Sequence, residues 1–528
     1  MPVRISKFIN GYVTPEDVGT DLKVRKGLPP FMLSFTSDYK PVITWNTTRS
    51  CNLRCVHCYS DSETKTYANE LTHEEALKML DGMAEYGVPI LLFSGGEPLM
   101  RKRVFELMAY SRKIGVRPTL STNGTLISRQ VAQNMKKAGL GYAGISMDGF
   151  AETNDKFRGK VGAFDDMVRG VDNCLAEGVK VSLRFTVTQH NAMDLPKVFD
   201  FLEQRNLPRM CVYHLVYSGR GSDIMKDDLE RKFSREIVDS IIDRAEYFHK
   251  KGFEKDLLTI DNHCDGPYLI IKLRQRGQHK LANDIYSLML KQGGNRSGIG
   301  FGDVDNLGNV HADQFSWDTT WGNVKQKTFR QIWDNVSDAT IAAYKYRRPL
   351  IKGRCSKCQF FEICNGNFRA RANYATGDLW ESDPACYLTD DEIGVYKDAA
   401  GKHHSHDPKI ENEVETLKQQ AEHYRKLGFN VPLAMAAEAT GCLAAIPKVV
   451  SENYLRKAAE LGPDEAAKVV AEEFTRPDPK RLAEVEALRT EAASEAEKVK
   501  GISPVPESVQ AMPDGAAVGR GSPVVVNK

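Results

Sequence analysis

The sequence predicts an α/β protein. Its expected core is a partial (β/α)6 barrel of parallel strands, followed by a cysteine-rich domain and a helical, then disordered, tail. Three observations carry this prediction. Short runs rich in branched apolar residues alternate with amphipathic helical segments from about residue 41 to 225. Cysteine, aromatic and turn residues crowd residues 351–400, and charged helix-forming residues fill 401–500 before a Pro/Gly-rich end at 501–528.

The runs "PVITWN", "VPILLFSGG", "VRPTLSTNG", "YAGISMDG", "KVSLRFTVT" and "RMCVYHLVYSG" are short and mostly apolar on both faces, as buried parallel strands are. Between the first two lies "LTHEEALKMLDGMAEYG". Here Thr72 and Glu75 have capping-box spacing, Gly87 suits the position after the helix, and Ala76, Leu77, Leu80, Met83 and Ala84 form one apolar stripe. In such barrels the chemistry sits at the carboxyl ends of the strands. Residues 1–40 form an N-terminal segment and 226–350 a less regular connecting or substrate region, with helical patterns near 228–251 and 280–292.

The chain has 528 residues, with 72 basic and 70 acidic side chains and a formal charge of +2. That balance gives no general attraction to nucleic acid or to anionic membranes. "MPVRISKFIN" lacks the apolar run of a secretory signal, and the most apolar stretch, "VPLAMAAEATGCLAAIPKVV", is broken by Glu438, Pro447 and Lys448. These features predict a cytoplasmic protein without a membrane span. Its 11 cysteines then sit in a reducing compartment, where metal binding is favoured over disulfides.

The first strand leads into "TTRSCNLRCVHCYS", which gathers Cys51, Cys55 and Cys58 in one loop. Three thiolates suit a metal centre that keeps one position open, whereas a closed zinc site needs four ligands. A [4Fe–4S] cluster on three cysteines leaves one iron free for a small molecule, and a zinc ion that borrows His57 is the alternative. The spacing, with the rings of His57 and Tyr59 flanking the last thiol, resembles the signature of the radical S-adenosylmethionine (SAM) enzymes.

The resemblance extends to the later strand ends. In "SGGEP", Gly95 and Gly96 permit close backbone approach, and Glu97 is similar to the residue that holds the SAM amino group. Ser121 and Asn123 of "STNG" point into the same mouth, and Ser146 and Asp148 of "SMDG" are candidates for the ribose hydroxyls. Each of these also has a plain reading as a turn residue. Arg158 in "DKFRG" resembles the arginine that pairs with the SAM carboxylate, and its bland reading is a helix-surface residue. The resemblance implies reductive cleavage of SAM to a 5′-deoxyadenosyl radical that abstracts hydrogen from a substrate, with a flavodoxin- or ferredoxin-type protein as low-potential donor.

A second group, Cys355, Cys358, Cys364 and Cys386, has gaps of two, five and twenty-one residues. A closed zinc site is one reading. In this chain the group resembles the SPASM or twitch extension that carries auxiliary clusters. His311 and Asp313 stand where the full form has cysteines, so one auxiliary [4Fe–4S] cluster is expected. Cys174, Cys211, Cys264 and Cys442 read as small apolar residues, and "HHSH" at 403–406 as solvated linker.

Longer stretches narrow the resemblance: "CVYHLVYSGRGSD", "DNHCDGPYL", "GNVHADQF" and "GNFRARANYATGDLWESDPACYLTDDEI" look like the radical SAM enzymes that trim side chains of didecarboxysiroheme. The similarity covers roughly residues 1–395. It implies removal of two acetate groups to give iron-coproporphyrin III, with the related haem d1 branch, which exchanges propionates for oxo groups, as the alternative. A tetrapyrrole substrate needs cations for its carboxylates, and His214, Arg220, His263, Arg369 and Arg371 are the candidates, each equally readable as surface. A peptide-modifying SPASM enzyme and a non-catalytic metal scaffold are the competing classes, and no acid–base or hydrogen-donor residue can be singled out.

Overall fold

A computed structural model describes residues 2–11, 40–441 and 454–499. The expectations for the 501–528 tail, for Cys442 and for most of the 1–40 segment lie outside these residues.

The six apolar runs fold as β1 (Val42–Asn46), β2 (Ile90–Ser94), β3 (Arg117–Thr122), β4 (Ala143–Ser146), β5 (Val181–Val187) and β6 (Arg209–His214). Neighbours pair in parallel register, from Thr44 opposite Leu92 to Val187 opposite His214. The sheet continues beyond them. β7 (Asp256–Ile260) pairs in parallel with β6, and β8 (Phe301–Val304) pairs in parallel with β1 on the other side. β9 (Asn309–His311) and β10 (Gly322–Asn323) extend that side antiparallel, giving ten strands in the order β10-β9-β8-β1-β2-β3-β4-β5-β6-β7.

Helices cover the outer face. α1 (His73–Tyr86) starts on a reciprocal capping box between Thr72 and Glu75 and ends at Gly87, whose φ of 93° favours glycine. Ala76, Met79, Leu80, Met83 and Ala84 are buried, while Leu77 is half-buried at the stripe's margin. α2 (Val104–Lys113) follows β2. At the other end of the chain, α3 (Pro479–Glu497) lies against both helices and buries Val485 and Ala492. A separate apolar cluster joins Val336, Ala342 and Tyr346 to Tyr424, Leu433, Tyr454 and Val470, so the helical segments between residues 408 and 475 share a second core with 336–346.

"HHSH" is not a solvated linker: His403–Ser405 pairs antiparallel with Val395–Lys397. His404 holds Asp398 at 3.1 Å and Glu411 at 3.2 Å, which fixes the hairpin on the next helix. Among the described residues no helix is long and apolar enough to cross a membrane.

Candidate functional site

The loop after β1 is held by backbone bonds to two other segments. Gly96 N–H donates to Thr48 O at 2.7 Å, Glu97 N–H to Ser50 O at 2.8 Å, and Val56 N–H to Phe157 O at 3.0 Å. A Cβ on Gly95 would lie 2.3 Å from Thr48 O, and one on Gly96 2.3 Å from Ser50 O, so both glycines let the β2 end lie flat on the cysteine loop. Arg220 closes the loop from the far side, donating to Cys55 O at 2.8 Å and Asp61 Oδ1 at 2.6 Å. Tyr59 donates to Asn46 Oδ1 at 2.7 Å, and its ring meets Phe315 edge-on.

Cys51, Cys55 and Cys58 face a cavity, about 1020 Å³ when the space open to solvent is counted, whose lining also includes Tyr59, Gly95, Gly96, Ser121, Asn123, Ser146 and Arg158. Burial, then repulsion from the neighbouring thiol, pushes the Cys51 thiol well up. Burial also raises Cys55, against which Arg158 works by donating to its sulfur at 3.5 Å. Arg158 is anchored in turn by a buried ion pair with Asp148, whose Oδ2 also lies 3.5 Å from His57 Nε2. Burial holds His57 down at about 4, so it is neutral at physiological pH.

Glu97 and Asp148 do not line this cavity. Glu97 is fully buried and accepts from Leu99 N–H, Thr122 Oγ1 and Asn123 N–H at 3.1, 2.8 and 2.9 Å, tying the ends of β2 and β3 together. Asp148 accepts from Thr186 N–H at 2.6 Å and positions Arg158. Asn123 donates to Asn52 at 2.9 Å.

A second, larger cavity, about 1530 Å³ when the space open to solvent is counted, is lined from β1 to β8 by residues such as Val42, Ile90, Thr119, Arg209, Leu258 and Phe301. Six residues line both cavities: Leu92, Arg184, Tyr213, Asp261, Gln314 and Phe315. Arg184 and Asp261 were not singled out from the sequence. The available signals were a lone cation inside the strand run "KVSLRFTVT" and an acid directly after β7. Asp261 has a left-handed φ of 68° at that strand end, and burial pushes its carboxyl up to about 7.

Of the residues expected to meet substrate, His214 lines the smaller cavity and His263 the larger. His214 Nε2 lies 3.0 Å from Asp265; burial alone would lower its pKa, and this carboxylate more than offsets it. Arg220, Arg369 and Arg371 line neither. Arg369 donates to Leu379 O, Glu381 O and Gly366 O, and Arg371 donates to Asp383 at 2.9 Å and Leu215 O at 3.0 Å. The structure thus directs these three guanidiniums to internal acceptors, since most buried donors find one.

Cys355, Cys358, Cys364 and Cys386 face one another closely enough that the other three all help push the Cys364 thiol up, after burial. Cys264 is buried in the apolar core as expected, and it also approaches this group: its hydrogen bond to Cys386 holds the latter thiol down. Among the described residues no three His, Cys, Asp or Glu side chains stand close enough to hold a single metal ion as they are. A zinc ion with bonds near 2.3 Å would need thiolates about 4 Å apart. A multi-iron group spans wider spacing, and all-thiolate donors suit it. Two buried polar atoms on the smaller cavity, His57 Nδ1 and Arg158 Nε, lack a hydrogen-bond partner among the described residues, as a polar ligand there would provide.

Residues 45–202 match the profile of the Radical SAM superfamily. The chain is 49% identical to the Fe-coproporphyrin III synthase of Methanosarcina barkeri over 398 residues, 75% of this chain and 100% of that one. It is 37% identical to the pre-heme d1 synthase of Dinoroseobacter shibae over 396 residues, 75% of this chain and 94% of that one. Its fold is similar to the crystal structure of Streptococcus suis SuiB bound to S-adenosylmethionine, with a TM-score of 0.54 at 16% identity over 66% of this chain and 78% of that one.

Proposed function

The chain belongs to the radical SAM superfamily, and from that premise we propose that it removes the two acetate side chains of 12,18-didecarboxysiroheme to give iron-coproporphyrin III. The observation that carries this reading is 49% identity over 398 residues to a Fe-coproporphyrin III synthase, with the cysteine loop lining a cavity that shares six residues with a second one inside the sheet. The family implies a [4Fe–4S] cluster and SAM, and Cys51, Cys55 and Cys58 are the residues to hold that cluster. When bound, the pair supplies a carbon radical able to abstract hydrogen from the substrate.

This chain's own residues prepare that chemistry. Gly95 and Gly96 hold the cysteine loop against the sheet, and Asp148 fixes Arg158 beside Cys55 so that a cation faces the thiolates. Ser121, Asn123 and Ser146 offer polar groups to the nucleotide, while Tyr59, Leu92 and Phe315 wall the cavity and exclude water. Glu97, bonded to the backbone of β3, sets the relative position of two strand ends and so of the groups they carry.

Cys355, Cys358, Cys364 and Cys386 are proposed to hold one auxiliary cluster, with a cytoplasmic flavodoxin or ferredoxin as electron donor. The test is anaerobic incubation of reconstituted protein with didecarboxysiroheme, SAM and dithionite, read by product mass. Loss of two acetates supports the proposal. Oxo products would move the chain to the haem d1 branch, and absence of turnover on any tetrapyrrole would reject both.

A further inference from the structure

We infer that Arg184 grips a carboxylate of the substrate where the two cavities meet, and thereby determines which substrate side chain is presented to the cysteine-lined pocket. The inference rests on the tetrapyrrole reading above and goes beyond it by assigning the recognition step to a residue.

Arg184 sits in β5 opposite Ser146 on one side and Cys211 on the other, midway along the barrel wall. It is the single cation among the six residues shared by both cavities. Its Nε donates to the Tyr213 hydroxyl at 2.9 Å and its Nη1 to the Ser121 hydroxyl, so both partners are neutral. Among the described residues it forms no ion pair with a carboxylate. The other arginines of the larger cavity are differently placed: Arg209 is paired with Asp256 at 2.9 Å, Arg4 lies 3.8 Å from the same carboxylate, and Arg296 lines the larger cavity but not the cysteine-lined one. A guanidinium cannot discharge by losing its proton, and holding it inside a protein without a counter-charge is costly. Two hydroxyls fix the plane of this one and leave Nη2 directed to neither, the arrangement expected of a fork awaiting an anion.

The surroundings fit a flat, acidic ligand. Leu92 and Phe315 are shared walls, and Phe315 meets Phe368 edge-to-face at 5.5 Å. Asp261, the carboxyl at the junction, is pushed up to about 7 by burial, which weakens its repulsion of an incoming carboxylate. A carboxylate at Arg184 could belong to the substrate or to SAM. Arg158, beside Cys55, already offers a cation to the nucleotide, and we assign Arg184 to the substrate.

The test uses full-length, anaerobically reconstituted protein, with Fe-coproporphyrin III and its tetramethyl ester as probes read by absorbance titration, and SAM by equilibrium dialysis. Arg184→Gln should bind the free acid about 10–100-fold more weakly, the loss expected for one charge-assisted contact. Its affinity for the ester and for SAM should change less than about threefold, and Arg184→Lys should recover part of the loss. Unchanged free-acid binding in Arg184→Gln, or a loss confined to SAM, would overturn the assignment while leaving the haem reading intact. Failure of the unmutated protein to bind Fe-coproporphyrin III at all would overturn both.

Discussion

Arg158 donates through Nη1 to the Cys55 sulfur at 3.5 Å while a second nitrogen of the same guanidinium pairs with Asp148. One buried cation therefore balances a carboxylate and faces a thiol that burial alone would keep protonated. Arg158 lies 103 residues after Cys55 in the chain, yet the helix Glu152–Arg158 is brought to the loop by backbone bonds from Arg54 and Val56.

Replacing Arg158 with Met should weaken SAM binding about 10–100-fold, the scale of one lost charge-assisted hydrogen bond, and reduce iron retained after desalting. It also strands Asp148 as a buried charge, which destabilises by itself. The double variant Arg158→Met/Asp148→Asn should therefore recover thermal stability but not SAM affinity. Equilibrium dialysis and a melting curve separate the two effects; recovered SAM binding in the double variant would show that Arg158 acts only as a structural counter-ion.

Gly96→Ala places a methyl 2.3 Å from Ser50 O and 2.7 Å from Arg49 O, both backbone atoms that cannot swing aside. The cysteine loop should be displaced while the sheet persists, so far-UV circular dichroism is retained and the iron content falls. Gly82→Ala, inside α1, meets nothing nearer than 3.7 Å and should be neutral or stabilising by up to about 1 kcal/mol. Equal iron content in the two variants would remove the steric role assigned to Gly96.

The parallel strands β1 to β6 and the caps of α1 were legible because each is a local pattern: a short apolar run, or Thr72 three residues before Glu75. β8 was not. Its four residues include Asp303, an unlikely strand residue on local grounds, and it pairs with β1 across more than 250 residues. Asn46 at the end of β1 supplies the hydrogen bonds that make that acid tolerable, at 2.9 and 3.0 Å. Arg184 escaped notice for a related reason: a charge in a strand reads as solvent-facing unless the curvature that turns it into a cavity is known. The cysteine groups were visible because spacing within a loop is itself local, whereas the approach of Cys264 to Cys386 depends on packing of distant segments.

Asp303 gives a pH prediction. Burial, reinforced by Asp305 and Asp313 and opposed by His311, pushes its carboxyl up to about 8. An unfolded aspartate titrates near 3.9, so between roughly pH 4 and 8 the folded state carries a proton that the unfolded state has lost. This group's contribution to stability must then fall as pH rises through that window. Asp303→Asn removes the titration and keeps an acceptor for Asn46. Urea midpoints at pH 5, 7 and 9 should decline less in the variant than in the unmodified protein. Parallel declines would mean that Asp303 ionises without cost.

α3 ties the end of the described chain to the barrel, and its attachment divides into strong and weak parts. Arg489 reaches Glu85 at 2.6 Å and Asp81 at 3.3 Å, and Lys113 reaches Glu491 at 2.6 Å, but these pairs are partly exposed. Pairs of that kind contribute about 0–1 kcal/mol each. Val485, by contrast, is fully buried against α1 and α2. Arg489→Ala should therefore shift the melting temperature only slightly, whereas Val485→Asp forces a carboxylate into an apolar interface and should cost several kcal/mol if the helix stays docked. The cheaper outcome is undocking. Limited proteolysis should then cut Val485→Asp between residues 475 and 479 far faster than the unmodified protein, while SAM binding at the distant strand ends is preserved. Equal protection of both proteins would show that α3 is not held by its apolar face.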